Sequence, residues 1–504
     1  MQYTMVAAAA RQIAPSFPEV GADISWIAIL FGLVGGVCTP VLGKMSDLWG
    51  KRRILLVCGF SFIVGTLICA LTSTWALFLV GRALEAVAVA APTVAYGLFR
   101  DVLPRRHVPT AIGIVAAGLG MTAFVAPLLG GWLLDHHSWR SLFWVMLVFA
   151  TVMMALVWLF VPESKLRVHQ RLDVLGAVLL AGGVGLVLLY VSKGASWGWG
   201  RPTAWAWLVG GLALLALFVL VERRVSEPVI EMDLLFSRKV LTVLVLAALG
   251  SIVIGTLGYG VPYMMQTPTA LQLRASVLEQ VASQAEGSLP ASVLALVHIT
   301  FSSPLSYALG ASFLGYAIYS AVYSGGVGML SGAGAGFWSR AVGPRIPMIL
   351  AMATLTASTA LFAFFPHSTW QYALFSAVAG LGFGAFYACA PNLIVEAVPA
   401  SRQGVSAGML GTVNSLAPAV GAAVLTAFLT ANPVTTTVTV PGAPPSSTTV
   451  PGVYGDAGFR DGLLFAAACA LLGLIVAIVM RHGRAAATGG EASDSPSADA
   501  PSKR

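Results

Sequence analysis

Gly43-Lys-Met-Ser-Asp47-Leu-Trp-Gly50-Lys51-Arg52-Arg53 joins two apolar runs, residues 24–43 and 54–72. So short a connector lays its flanking segments side by side and antiparallel. Each run has about the 20 apolar residues that cross a bilayer as a helix. In lipid a helix satisfies all its own backbone groups, so the stretch reads as a membrane hairpin. It also has a faded copy, Gly336-Phe-Trp-Ser-Arg340-Ala-Val-Gly343-Pro-Arg345, in which Gly336, Gly343 and Arg345 answer Gly43, Gly50 and Arg52 at one constant offset. A second echo pairs Asp101-Val-Leu-Pro104 and Gly113 with Glu396-Ala-Val-Pro399 and Gly408 at nearly that offset. Two matches imply a duplicated bundle whose halves rock about a midplane cavity, the physical design of a secondary transporter.

The whole chain agrees. Of 504 residues 58% are hydrophobic, mean hydropathy is +0.86, and only 10% are charged, against about 25% in a soluble domain. This excludes a soluble enzyme, a secreted disulfide scaffold and a disordered protein. Thirteen runs are long enough to span, including 108–134 and the two inserted helices 174–193 and 203–222. A fourteenth, Met1–Ala14 before Pro15, is too short: either it begins upstream of Met1 or it is a half-inserted helix. The expected fold is an all-α polytopic protein of fourteen helices, the first truncated. Residues 1–165 form an N-terminal six-helix bundle, 166–236 hold the inserted pair, and 237–484 form a C-terminal six-helix bundle. The connectors 263–305, with a short helix over Leu271–Ala285, and 431–460, a flexible loop, lie outside the membrane. Residues 485–504 form a disordered tail.

Lys and Arg set the orientation. Alternate connectors carry Lys44, Lys51–Arg53, Arg100, Arg105, Arg106, Lys165, Arg167, Arg171, Arg223, Arg224, Arg238, Lys239, Arg340, Arg345 and Arg402, with Arg481 and Arg484 beyond the last helix. The intervening ones hold only Arg140, Lys193, Arg201, Arg274 and Arg460. The first set is expected in the cytoplasm with both termini, the protein being a multi-pass plasma-membrane protein, of the bacterial inner membrane. Cys38, Cys58, Cys69, Cys389 and Cys469 all lie in apolar runs and read as small buried hydrophobes. His136-His137 beside Asp135 reads as a loop end at the membrane surface before a metal site. Gly43-Lys44 is followed by Met, so no phosphate-binding loop exists. Energy must come from an ion gradient: no cofactor, ATP, metal or nucleic-acid partner is expected.

These features resemble the major facilitator superfamily, and within it the fourteen-helix drug:proton antiporters. The resemblance implies that Gly43, Asp47, Gly50, Lys51, Arg52 and Arg53 form a cytoplasmic gate motif, with Asp47 the latch acid that pairs with cations and a helix end. It implies that Gly113, Pro127, Gly130 and Gly131 belong to the fifth-helix antiporter motif, although Thr122 and Ala126 stand where glycines are usual. Trp139 and Arg140 match the motif at the next helix entrance. Gln2 replaces the first-helix carboxylate.

Gly81-Arg82-Ala-Leu-Glu85 resembles the fourth-helix motif. A cation so deep costs several kcal/mol unless it is paired or hydrated, and Glu85 lies three residues on, on the same face. Thr93 and Tyr96 continue that stripe, so all four are expected to face one wet cavity. Two readings stand: a proton-coupling site, or a permanent structural salt bridge. Trp26, Tyr96, Tyr259, Phe383, Tyr387 and Asn414 are candidate cavity residues. A greasy cavity with one acid fits hydrophobic, often cationic compounds. The expected function is proton-coupled efflux of such compounds by a monomer that alternates access. The alternatives are a proton-coupled transporter of one metabolite and a non-transporting scaffold or sensor.

Overall fold

Segments apolar on every side close their own hydrogen bonds as helices, and they dominate the computed structural model of this protein. The structure describes residues 5–6, 8–18, 20–102, 122, 125–164, 173–225, 232–284, 297–365, 368–398, 403–439 and 444–484. The long helices are α1 (Trp26–Trp49), α2 (Lys51–Leu71), α3 (Trp75–Ala86), α4 (Ala91–Val102), α5 (Arg140–Phe160), α6 (Val174–Trp197), α7 (Pro202–Glu222) and α8 (Arg238–Gln266). They continue with α9 (Ala270–Gln284), α10 (Val322–Val342), α11 (Arg345–Phe364), α12 (Thr369–Glu396), α13 (Gln403–Ala431) and α14 (Asp456–Val479). A 3-10 turn at Val87–Ala90 links α3 to α4 as one span.

Among the described residues, 12 helical segments are long and apolar enough to cross a membrane. The expected fourteen are not all counted for two reasons. The span read over 108–134 lies largely outside the described residues, although 125–136 is helical. In the N-terminal segment residues 1–4 and 7 lie outside the described residues; Met5, Val6, Ala8 and Ala10–Ile13 are helical, ended by a 3-10 turn around Pro15. Gly113, the tail 485–504 and the connector 165–172 also lie outside the described residues.

The duplication is visible in the backbone. Gly50 joins α1 to α2 at φ +108°, and Gly343 joins α10 to α11 at φ +85°, a region open to glycine and strained for other residues. Arg52 donates to the Trp158 carbonyl at the end of α5, and Arg345 donates to the Ile478 carbonyl at the end of α14. In each half the repeat arginine therefore caps the same terminal turn, where carbonyls lack helical partners.

The two connectors opposite the cation-rich face are more ordered than their composition implies. One forms α9 and β1 (His298–Phe301), the other β2 (Pro433–Thr439) and β3 (Ser446–Tyr454), in an antiparallel sheet of order β1-β2-β3. The flexible loop expected over 431–460 is thus corrected. Its Val and Thr residues are β-branched and favour strands, and the residues between β2 and β3 hold the Pro-Gly-Ala-Pro-Pro break.

The halves meet along α1 and α13. A Cβ at Gly32 would lie 2.7 Å from the Ser415 carbonyl oxygen, and one at Gly36 2.6 Å from Leu416. Toward the cation-rich face the seam loosens: a Cβ at Gly411 would be 3.5 Å from Thr39, and at Gly43 or Gly408 it would meet nothing within 4 Å. On the opposite face the halves are tied. Arg11 donates to Thr267 at 2.7 Å, Gln12 to Gln266 at 2.5 Å, and Ser312 to Asp135 at 2.8 Å. Among the described residues, the bundle is closed on the cation-poor face and parts toward the cation-rich one. The inserted α6 and α7 pack on each other, and α6 also rests on α1 and α13.

Candidate functional site

Arg82 and Glu85 lie one turn apart on α3, and both are 0% exposed. Arg82 Nη1 donates to Glu85 Oε2 at 2.5 Å. The site exists because two glycines let α2 and α3 touch. A Cβ on Gly65 would lie 2.5 Å from the Gly81 carbonyl oxygen and 2.8 Å from Glu85 N. That close approach lets the Thr66 hydroxyl donate to Glu85 Oε1 at 2.9 Å. From α1, the Ile27 carbonyl accepts from Arg82 Nη2 at 3.4 Å, and the Phe31 ring lies 4.7 Å from the guanidinium carbon. Arg82 Nε has no hydrogen-bond partner among the described residues.

This corrects the expectation of a wet cavity around the pair. A hydroxyl, a carbonyl and an aromatic face pack against the pair, and each supplies part of what hydration would. Tyr96, expected on the same stripe, has a side chain outside the described residues, and Thr93 is half-buried. The reading missed Thr66, Ile27, Phe31 and Gly65, which arrive from other helices. The small residues of the second apolar run, Gly65-Thr66, were the available signal.

At the gate motif, Lys51 Nζ lies 2.7 Å from Asp47 and 2.8 Å from Asp101, whose carboxylate also accepts from Ser164 at 2.5 Å. Asp47 is thus the acid of a two-carboxylate clamp on Lys51. The helix end it was expected to serve is met by Glu163, which accepts from the backbone N–H groups of Arg52 and Arg53 at 3.0 and 3.3 Å. An anion at a helix N-terminus caps free donors and meets the positive end of the dipole. From the sequence Asp101 was noted only as part of the repeat and Glu163 not at all; they lie 50 and more residues away, at the ends of other helices.

Of the fifth-helix residues, Gly131 meets the other half, where a Cβ would lie 2.7 Å from Leu314, while a Cβ on Gly130 would be 3.1 Å from Met5 of its own half and 3.5 Å from Phe313. Pro127 is buried in the same segment. Trp139 donates to Ser16 at 2.8 Å, and Arg140 donates to the Thr72 carbonyl at 3.1 Å, just past α2.

Tyr96 aside, whose side chain lies outside the described residues, the five other cavity candidates do not converge. Tyr259 is buried beside Tyr263, ring centroids 5.8 Å apart. Asn414 accepts from Ser251 at 3.0 Å and ties α13 to α8. Trp26 and Phe383 are half-buried against the core. Tyr387 is 48% exposed on α12, on a different face from the exposed Trp370, Leu374 and Leu381.

The profile of the Major Facilitator Superfamily matches residues 1–279, and that of the sugar (and other) transporter family residues 243–482. The MFS-type transporter YvkA of Bacillus subtilis (strain 168) is 30% identical over 233 residues, 46% of this chain and 51% of that one. The chain thus spans about half the length of that curated relative. The multidrug resistance protein Stp of Mycobacterium tuberculosis (strain CDC 1551 / Oshkosh) is 27% identical over 82% of this chain and 70% of its own. Among solved structures, an auto-inhibited POT family peptide transporter superposes with a TM-score of 0.60 at 14% identity, over 95% of both chains. That likeness speaks to fold alone. Taken with a family profile that covers more than half of the sequence, the repeated hairpins and the seam between them have one explanation: this chain belongs to the Major Facilitator Superfamily.

Proposed function

We propose that this chain exports hydrophobic, often cationic compounds by alternating access, in exchange for protons moving inward. The cation-rich face lies in the cytoplasm with both termini, in the plasma membrane of a bacterium, and no nucleotide or cofactor takes part. The likeness to a protein named for multidrug resistance supports efflux. So does the seam that parts toward the cation-rich face, which lets a lipophilic molecule enter from the cytoplasm or inner leaflet and reach Tyr387.

The observation that carries the coupling is the Arg82–Glu85 pair at 2.5 Å with no exposure. A charge pair is costly in hydrocarbon, and a pump gains from it only if one partner changes protonation between states. In the state described here the carboxylate is fully buried. The cycle requires the α1 cover, Ile27 and Phe31, to shift when the halves part on the cation-poor face. Protons then reach Glu85 from outside, and substrate leaves. The same enclosure favours a second reading, in which the pair is a permanent brace of α1, α2 and α3 and coupling lies elsewhere.

Accumulation of a lipophilic cationic dye in cells that lack or express the protein tests the efflux reading. Expression lowers accumulation several-fold, and an uncoupler abolishes the difference. Equal accumulation in both strains, with and without uncoupler, rejects it in favour of a single-metabolite carrier or a non-transporting role.

A further inference from the structure

Four cations meet at one edge of the C-terminal bundle. Arg238 and Lys239 open α8, while Arg481 and Arg484 follow the end of α14. The two helices pack side by side, and a groove of about 850 Å³ runs between these ends, lined also by Thr242, Ile475 and Val479. The chain after α14 is not a loose basic tail at this point. His482 shares a hydrogen bond with the Leu393 carbonyl at 3.0 Å, and the Arg345 backbone N–H donates to the Gly483 carbonyl at 3.1 Å. Gly483 sits at φ +77°, where a Cβ would lie 2.5 Å from Leu393 and 3.5 Å from Pro344. The turn thus holds Arg481 and Arg484 opposite the start of α8.

All four cations are exposed, and none forms a salt bridge with a described residue. Like charges gathered without acids repel, and the field is felt locally. Burial lowers the pKa of His482 and the nearby Lys239 lowers it further, against the hydrogen bond to Leu393, which raises it. Below this basic rim, Ile475 and Val479 are 48% and 71% exposed. An anionic head attached to an apolar chain complements both parts, as basic pockets between membrane helices do for acidic lipids.

We propose that this groove binds one anionic phospholipid, its phosphate among Arg238, Lys239, Arg481 and Arg484 and an acyl chain along Ile475 and Val479. Native mass spectrometry of the full-length protein, titrated with phosphatidylglycerol or with phosphatidylcholine of the same chains, tests it. Phosphatidylglycerol binds at least about tenfold more tightly, and each neutralised cation weakens it about fivefold. The Arg238→Gln/Lys239→Gln/Arg481→Gln/Arg484→Gln variant falls to the phosphatidylcholine level. The charge-keeping Arg238→Lys/Arg481→Lys/Arg484→Lys variant retains the preference, which separates lost charge from lost folding. Equal binding of the two lipids overturns the proposal, and so does glycerol phosphate that binds as tightly as the lipid. The preference is also overturned as a property of the native chain if it emerges only after Glu491→Gln/Asp494→Asn/Asp499→Asn, because the acidic tail is then the occupant.

Discussion

Arg82 is tolerable in hydrocarbon because its charge is shared among a carboxylate, a carbonyl and a ring. Removing one member of a buried pair leaves the other charge stranded, at a cost of about 3–5 kcal/mol. Arg82→Gln and Glu85→Gln each lower stability by about that amount in detergent unfolding. The double variant recovers most of the loss, since two neutral amides can bond to each other and to Thr66; a double variant as unstable as the sum of the singles would contradict this account. The pair itself was legible in sequence, because charge inside an apolar run stands out. Its surroundings were not. Thr66 and Ile27 meet it from 19 and 55 residues away in the chain, and their hydroxyl and carbonyl carry no signal until helices pack. The expected wet cavity failed for the same reason: periodicity gives a face of one helix but not what covers it.

At the scale of elements, close approach of α2 and α3 is set by glycine. Gly65→Ala brings a methyl within 2.5 Å of the Gly81 carbonyl oxygen, so the helices must separate, at a cost of about 1–3 kcal/mol. Thermal unfolding in detergent measures it, and an unchanged midpoint shows that the contact is looser than described. Glu85 leans on the same contact, so Gly65→Ala also weakens uphill transport more than it weakens binding of a dye. Helices and their duplication were readable because Gly50 and Gly343, Arg52 and Arg345 do the same work at the same place in each half. The strands were less so. The Thr-, Pro- and Gly-rich composition of 431–460 is that of a loop, and only its β-branched Val and Thr residues favour the sheet. The helix at Ala270–Gln284 was legible as an apolar-polar segment, though not its neighbour β1, whose pairing partner lies in another connector.

The whole molecule is two bundles joined at a seam that, among the described residues, is tight on one face and parts toward the other. Outward release requires the tight face to part, breaking Arg11–Thr267, Gln12–Gln266 and Asp135–Ser312 together. With the five native cysteines replaced by alanine, a short thiol cross-linker across Asp135→Cys and Ser312→Cys stops transport, and a cleavable linker restores it on reduction. Full transport by the cross-linked protein means that this face does not open. That the chain is a bundle of membrane-spanning helices was legible in its hydropathy, although 12 of the expected fourteen spans are seen among the described residues. The state of the seam was not, since it depends on contacts between residues hundreds of positions apart.

The central claim is that the buried acid on α3 couples substrate to protons, and proteoliposomes under an imposed pH gradient test it most directly. Wild-type protein moves dye against its concentration gradient when protons flow the other way. The Arg82→Gln/Glu85→Gln protein, shown to be folded by its unfolding midpoint, still exchanges dye downhill but gains nothing from the gradient. If it concentrates dye as the wild type does, the pair is a brace and the coupling site lies elsewhere.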